Sequence, residues 1–147
     1  MTTALPRALF ILRWSIVLFM LPWVIEKFTQ PDVTAKIFAA FYGVDNLPAT
    51  GSYILGALWL ALLAAFALGF RKFWSYGLVM LLHGIGTVTT WSRLLPWLDT
   101  HNHLFLAAIP TLGAMAALWI LRDHDDIGTI KQAGGKKAAA GHTSRVG

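Results

Sequence analysis

Residues 91–110, WSRLLPWLDTHNHLFLAAIP, set an Asp and two His at alternate positions: Asp99, His101 and His103. Carboxylate oxygen and imidazole nitrogen both ligate Zn or Cu, and alternate positions on an extended segment would turn the three side chains to one side. Three ligands leave a tetrahedral site short of one, so a metal reading needs a fourth from Glu26, Asp32 or Asp45. The same stretch has a second chemistry. Asp99, Thr100 or Asn102, directly ahead of a long apolar run, would cap a helix by accepting from its first free N–H groups.

A second set of polar groups follows helical spacing. Tyr76, Met80, His83, Thr87 and Thr90 fall on one face of an α-helix. In an apolar surrounding such a face turns inward, because lipid offers no hydrogen bonds. His83 would lie roughly 12 Å from the end marked by Trp91, at 1.5 Å per residue. As a functional group it would be a proton relay, a quinone hydrogen-bond partner or a haem ligand. As a structural group it would be a neutral imidazole bonded to a Thr hydroxyl or a backbone carbonyl. His83, Tyr76, Thr87 and Thr90 are thus the candidate cofactor site, with quinone as its occupant. Two-His haem ligation is disfavoured, since His101 and His103 belong at the rim and not at the depth of His83. With no cysteine in the chain, disulfide exchange, thiolate metal sites and iron–sulfur ligation are excluded. No catalytic set is assembled by these residues.

Charges near the ends of the apolar runs suggest structural roles. Ser15, Phe19, Pro22 and Glu26 share a face of the first run, and Glu26 is expected to pair with Arg93, with Lys27 as the alternative cation. Arg13 lies about one and a half turns inside the opposite end, where its long stem should let the guanidinium snorkel to headgroups.

These groups need elements to hold them, and composition says which. The 147 residues are 56% hydrophobic and only 13% charged, with a mean hydropathy of +0.60. That is too apolar for an ordinary soluble domain. Four windows approach the roughly 20 apolar residues that cross a hydrocarbon core: residues 8–25, 53–70, 73–91 and 104–121. The expected fold is all-α, an integral membrane four-helix bundle, over residues 1–126. The first run holds Arg13 and Trp14 and ends in PWVIEKF, with no small-residue cleavage site, so it reads as a retained helix. Arg7, Arg71, Lys72 and Arg122, with four more cations after residue 130, outnumber Lys27, Lys36 and Arg93 on the other side. The positive-inside rule then puts both termini in the cytoplasm, and the net charge of +5 reads as headgroup contact rather than nucleic-acid binding.

Between the first two runs, Pro31 suits a helix start, Gly43 a helix end, and Val33, Ile37, Phe38 and Phe41 recur at helical spacing. The expectation is a short extracytoplasmic amphipathic helix over residues 31–42, on the membrane surface or on the bundle's own loops. The few residues around GFRKFW force the second and third runs to be antiparallel neighbours. Ala57, Ala61, Ala65 and Gly69 put a small residue at every fourth position, which predicts a face for close helix packing, within one bundle or between subunits; Gly113 and Ala117 repeat this in the fourth run. Trp14, Trp23, Trp74, Trp91, Trp97 and Trp119 near run ends read as headgroup anchors. Residues 127–147 read as a basic Gly/Ala-rich cytoplasmic tail, mobile unless a partner orders it.

The arrangement resembles the DoxX-like superfamily of small four-helix membrane proteins, which includes the DoxD and MauE groups. The resemblance rests on LRWSIVLFMLPWVIEKF with its basic start and terminal Lys27, the hairpin YILGALWLALLAAFALGFRKFWSYGLVMLLHGIGTV, and the closing run NHLFLAAIPTLGAMAALWIL. It covers roughly residues 8–122. Trp23 and Val24 stand where a Gly is frequent in the family, and only Lys27 matches a recurrent position. The resemblance implies a bacterial inner-membrane protein tied to a redox complex, as a quinone-linked subunit or an assembly factor. Three functions follow: an accessory or assembly subunit, bound to other membrane subunits or to copies of itself; a quinone-binding small subunit; and a metal-handling protein using Asp99, His101 and His103.

Overall fold

The structure is a computed structural model that describes residues 4–94 and 103–130, and within them every regular element is helical. Helix α1 (Ala4–Thr29) runs unbroken through Pro22. Its buried residues, Leu9, Arg13, Ile16, Val17, Met20 and Val24, keep the 3.6-residue period of a single inward stripe. Helix α2 (Pro31–Tyr42) has the expected bounds, for local reasons. Pro31 needs no amide donor in the first turn, and Gly43 closes the helix at φ +66°, where a side chain would be strained.

Helix α3 (Ala49–Ala67) leads by a tight turn into α4 (Lys72–Thr89). Two short helices, α5 (Trp91–Leu94) and α6 (His103–Leu106), precede α7 (Ala108–Ile120) and the 3-10 turn η1 (Arg122–His124). The run expected as one helix over residues 104–121 is therefore divided at Ala107. Pro110 has no N–H for the Leu106 carbonyl, which ends the ladder there. Thr111 takes up the slack, donating its amide at 3.2 Å and its hydroxyl at 2.7 Å to the Ala107 carbonyl.

Four helices pack in a ring. α1 touches α3 and α7, and α4 touches the same two neighbours, so α1 and α4 face each other across the centre. α2 lies against α1 and α3. The core gathers Ile16, Met20 and Val24 of α1, Leu63 and Phe66 of α3, Tyr76 and Val79 of α4, and Met115 and Leu118 of α7. α1 and α3 are the two described helices long and apolar enough to cross a membrane.

The α1–α3 seam uses small residues of a different row from Ala57, Ala61, Ala65 and Gly69. Ser52 and Gly56 are buried there, and Ser52 donates its hydroxyl to the Lys27 carbonyl at 2.8 Å. A Cβ on Gly56 would meet the Phe28 ring at 2.8 Å and the Lys27 Cβ at 3.1 Å. Of the expected row, Ala57 and Ala61 are exposed, Ala65 is half-buried and Gly69 is buried against Thr129, while Gly113 is exposed with no neighbour within 4 Å of an added Cβ and Ala117 is half-buried. The Ala57 row is one helical step, about 100°, from the buried row, and the larger Trp59, Leu63 and Phe66 decide which row turns inward.

Candidate functional site

The polar centre of the molecule joins α1 and α4 to the segment after η1. Arg13, on the inward stripe of α1, is fully buried. Its guanidinium stands over the Phe10 ring, 5.6 Å from the centroid. Asp125, just after η1, is also fully buried, and its Oδ2 accepts from Arg13 Nη1 at 2.8 Å and from the Tyr76 hydroxyl at 2.6 Å. Arg13 Nη1 also reaches the Tyr76 oxygen at 3.3 Å. Tyr76 is set by its ring, which lies 4.8 Å from Phe66 between centroids. Two main-chain carbonyls complete the cluster: Asp125 accepts from Lys72 Nζ, and Ile127 accepts from Arg13 Nη2.

The segment carrying Asp125 is seated by the α3–α4 turn. The Ile130 amide donates to the Leu68 carbonyl at 2.9 Å. Gly69, at φ +60°, leaves room that a Cβ would take from Thr129, 2.6 Å away. Residues 127–130, assigned to a separate tail on sequence, thus belong to the packed structure. Arg13 likewise does not snorkel. Its distance from the nearest helix end matters less than a carboxylate delivered from 112 residues away, and pairing makes burial affordable. Asp125 was missed because DHDD reads as an exposed acidic turn. The signal was Arg13 itself, since a cation on an apolar stripe requires a counter-ion at the same end of the bundle.

The face of Tyr76, Met80, His83, Thr87 and Thr90 does turn inward, but its members act separately. Tyr76 is committed to Asp125. His83 sits further along, edge-on to Phe19 of α1 with centroids 5.9 Å apart, and its Nε2 is buried with no hydrogen-bond partner. Thr87 donates to the His83 carbonyl at 2.8 Å, and Thr90 to the Gly86 carbonyl at 2.8 Å, so both hydroxyls are satisfied within α4. Of His83, Tyr76, Thr87 and Thr90, only His83 keeps a buried side-chain polar atom without a hydrogen-bond partner.

Glu26 and Arg93 are not paired. Among the described residues the ion pairs are Arg13–Asp125 and Lys72–Asp126, while Arg93 is exposed on α5. Lys27 instead donates to the Trp23 carbonyl of its own helix at 3.2 Å. Asp99 and His101 lie outside the described residues, as does Trp97; His103 opens α6, but its side chain is not described. Trp14, Trp23, Trp74 and Trp91 are exposed, whereas Trp119 donates its Nε1 to the Phe73 carbonyl at 3.1 Å.

In comparison with known proteins, the chain matches no protein-family model, no curated protein and no solved structure.

Proposed function

We propose that this chain is an accessory or assembly subunit embedded in a bacterial inner membrane, where it serves a redox-linked complex. The observation that carries this reading is the outer surface of the helices. Ile11 and Leu18 on α1, Ile54 and Leu58 on α3, Leu81 and Val88 on α4, and Ile109 and Ile120 on α7 are each more than half exposed. An apolar exterior on all four ring helices suits lipid and neighbouring transmembrane helices, not water. α1, α3, α4 and the α6–α7 pair are the four passes. Both termini are cytoplasmic, on the side of Arg7, Arg71, Lys72 and Arg122, and α2 lies on the extracytoplasmic side. The resemblance to DoxX-like proteins points the same way.

The outward Ala57 and Ala61, on the same exposed side of α3 as Ile54 and Leu58, give another helix a place for close backbone approach. Purification of tagged chain from native membranes in mild detergent tests the reading. Stable copurification with subunits of a membrane enzyme is the expected result. A lone monomer whose deletion leaves every membrane complex intact would refute it.

A second reading has its own observation. The buried, unpartnered Nε2 of His83 beside Phe19 would hydrogen-bond a quinone carbonyl lying between α1 and α4. Solvent extraction of the purified protein is expected to release quinone from wild type and much less from His83→Leu. Equal yields from both would remove this reading.

A further inference from the structure

We propose that Arg13 and Tyr76 form a carboxylate-binding site, which the chain's own Asp125 occupies as an internal ligand. The receptor half is built on the helices. Arg13 stands over Phe10 of α1, and Tyr76 packs on Phe66 of α3, so each has a contact on the helices that does not involve Asp125. Both donate to a single oxygen, Asp125 Oδ2. The ligand half is a short segment after η1, whose hold on the bundle is mainly polar. Its anchors are the Asp125 carboxylate, the carbonyls of Asp125 and Ile127, and the Ile130 amide. Ile127 and Ile130 remain exposed, and Asp126 reaches Lys72 only at 3.6 Å from an open surface.

The site also has unused capacity. Arg13 Nε and Asp125 Oδ1 are both buried and both without a partner. A guanidinium binds a carboxylate best through two parallel N–H···O bonds. Asp125, tethered by the backbone contacts on either side of it, uses one oxygen and leaves Nε idle. A small free carboxylate is not tethered and can engage both oxygens. Gly128, at φ +64°, brings the segment past Arg13 closely, and a Cβ there would lie 3.6 Å from Nη2 and 3.3 Å from the Phe10 ring. The segment is therefore fitted to Arg13 and Tyr76 as a ligand is fitted, and in this proposal another carboxylate can take the place of Asp125.

Chemical rescue tests this on the full-length protein in detergent, with sodium formate as the probe and sodium chloride at equal ionic strength as control. Asp125→Ala is expected to melt at a lower temperature than wild type, and formate should raise its Tm in a saturable way that chloride does not reproduce. Wild type, with its site filled, should not respond to formate beyond the chloride effect. The double variant Arg13→Gln with Asp125→Ala should also lose the response. Identical effects of formate and chloride on Asp125→Ala, or a rescue that survives loss of Arg13, would overturn the proposal. Asp125→Asn keeps the side chain's shape and supplies a second measurement by hydrogen–deuterium exchange. Faster exchange confined to residues 122–130 supports a separable internal ligand, and equal loosening of α1 and α4 refutes it.

Discussion

Arg13 and Asp125 carry opposite charges with no contact to solvent, so each is tolerated only while the other is present. Asp125→Ala is expected to cost about 3–5 kcal/mol, the usual result of stranding one member of a buried pair. The double replacement Arg13→Met with Asp125→Leu removes both desolvation costs and should be less destabilising than either single change. A double-mutant cycle read by thermal melting in detergent checks this, and additive losses would contradict it. Tyr76→Phe leaves the packing against Phe66 intact and removes one donor to Oδ2, which should cost about 1–3 kcal/mol in the same assay. The Lys72–Asp126 contact is long and open to solvent, and its removal should be close to neutral.

At the scale of elements, the α3–α4 turn is the tightest joint in the ring. Phe70 donates back to the Ala65 carbonyl at 2.9 Å, Gly69 holds φ +60°, and Arg71 holds φ +44°, a left-handed conformation that few residues other than glycine adopt. Gly69→Ala combines an unfavourable backbone with a collision at Thr129, and it should lower stability by about 1–3 kcal/mol. Gly113→Ala, on the open side of α7, should be neutral or stabilise by up to about 1 kcal/mol. Paired melting curves of the two variants test the contrast. These elements were legible in sequence where their causes are local. Apolar run length located the long helices to within a few residues, and Pro31 with Gly43 bounded α2. Pro110 was visible too, although its effect on the ladder before α7 was not drawn from it. The orientation of α3 was not legible, because Ser52 and Gly56 form one row of small residues and Ala57 and Ala61 another, and only packing against Phe28 and Lys27 selects between them. The polar centre was read only in half. Periodicity turned the Tyr76 face inward, but nothing near Asp125 in the chain announces a partner 112 residues earlier.

Taken whole, the molecule keeps its pairing inside and its apolar surface outside, which directs predictions about partners to the exterior. Ala57→Ile with Ala61→Ile should leave the melting temperature of the isolated protein nearly unchanged, since both positions are exposed. On the proposed accessory-subunit role, the same pair should abolish copurification with partner subunits, and retained association would remove α3 as the contact face. The join between α1 and the segment after η1 also imposes an order in time. At a synthesis rate of about 5–20 residues per second, Asp125 is made on the order of ten seconds after Arg13. Through that interval the nascent first helix holds a cation whose neutralising partner has not yet been translated. Until then α1 cannot form the buried ion pair that Arg13 makes in the folded protein. The inward stripe of α1 is thus completed by a segment made 112 residues later, and a chain cut before Asp125 would leave the Arg13 guanidinium without its counter-ion.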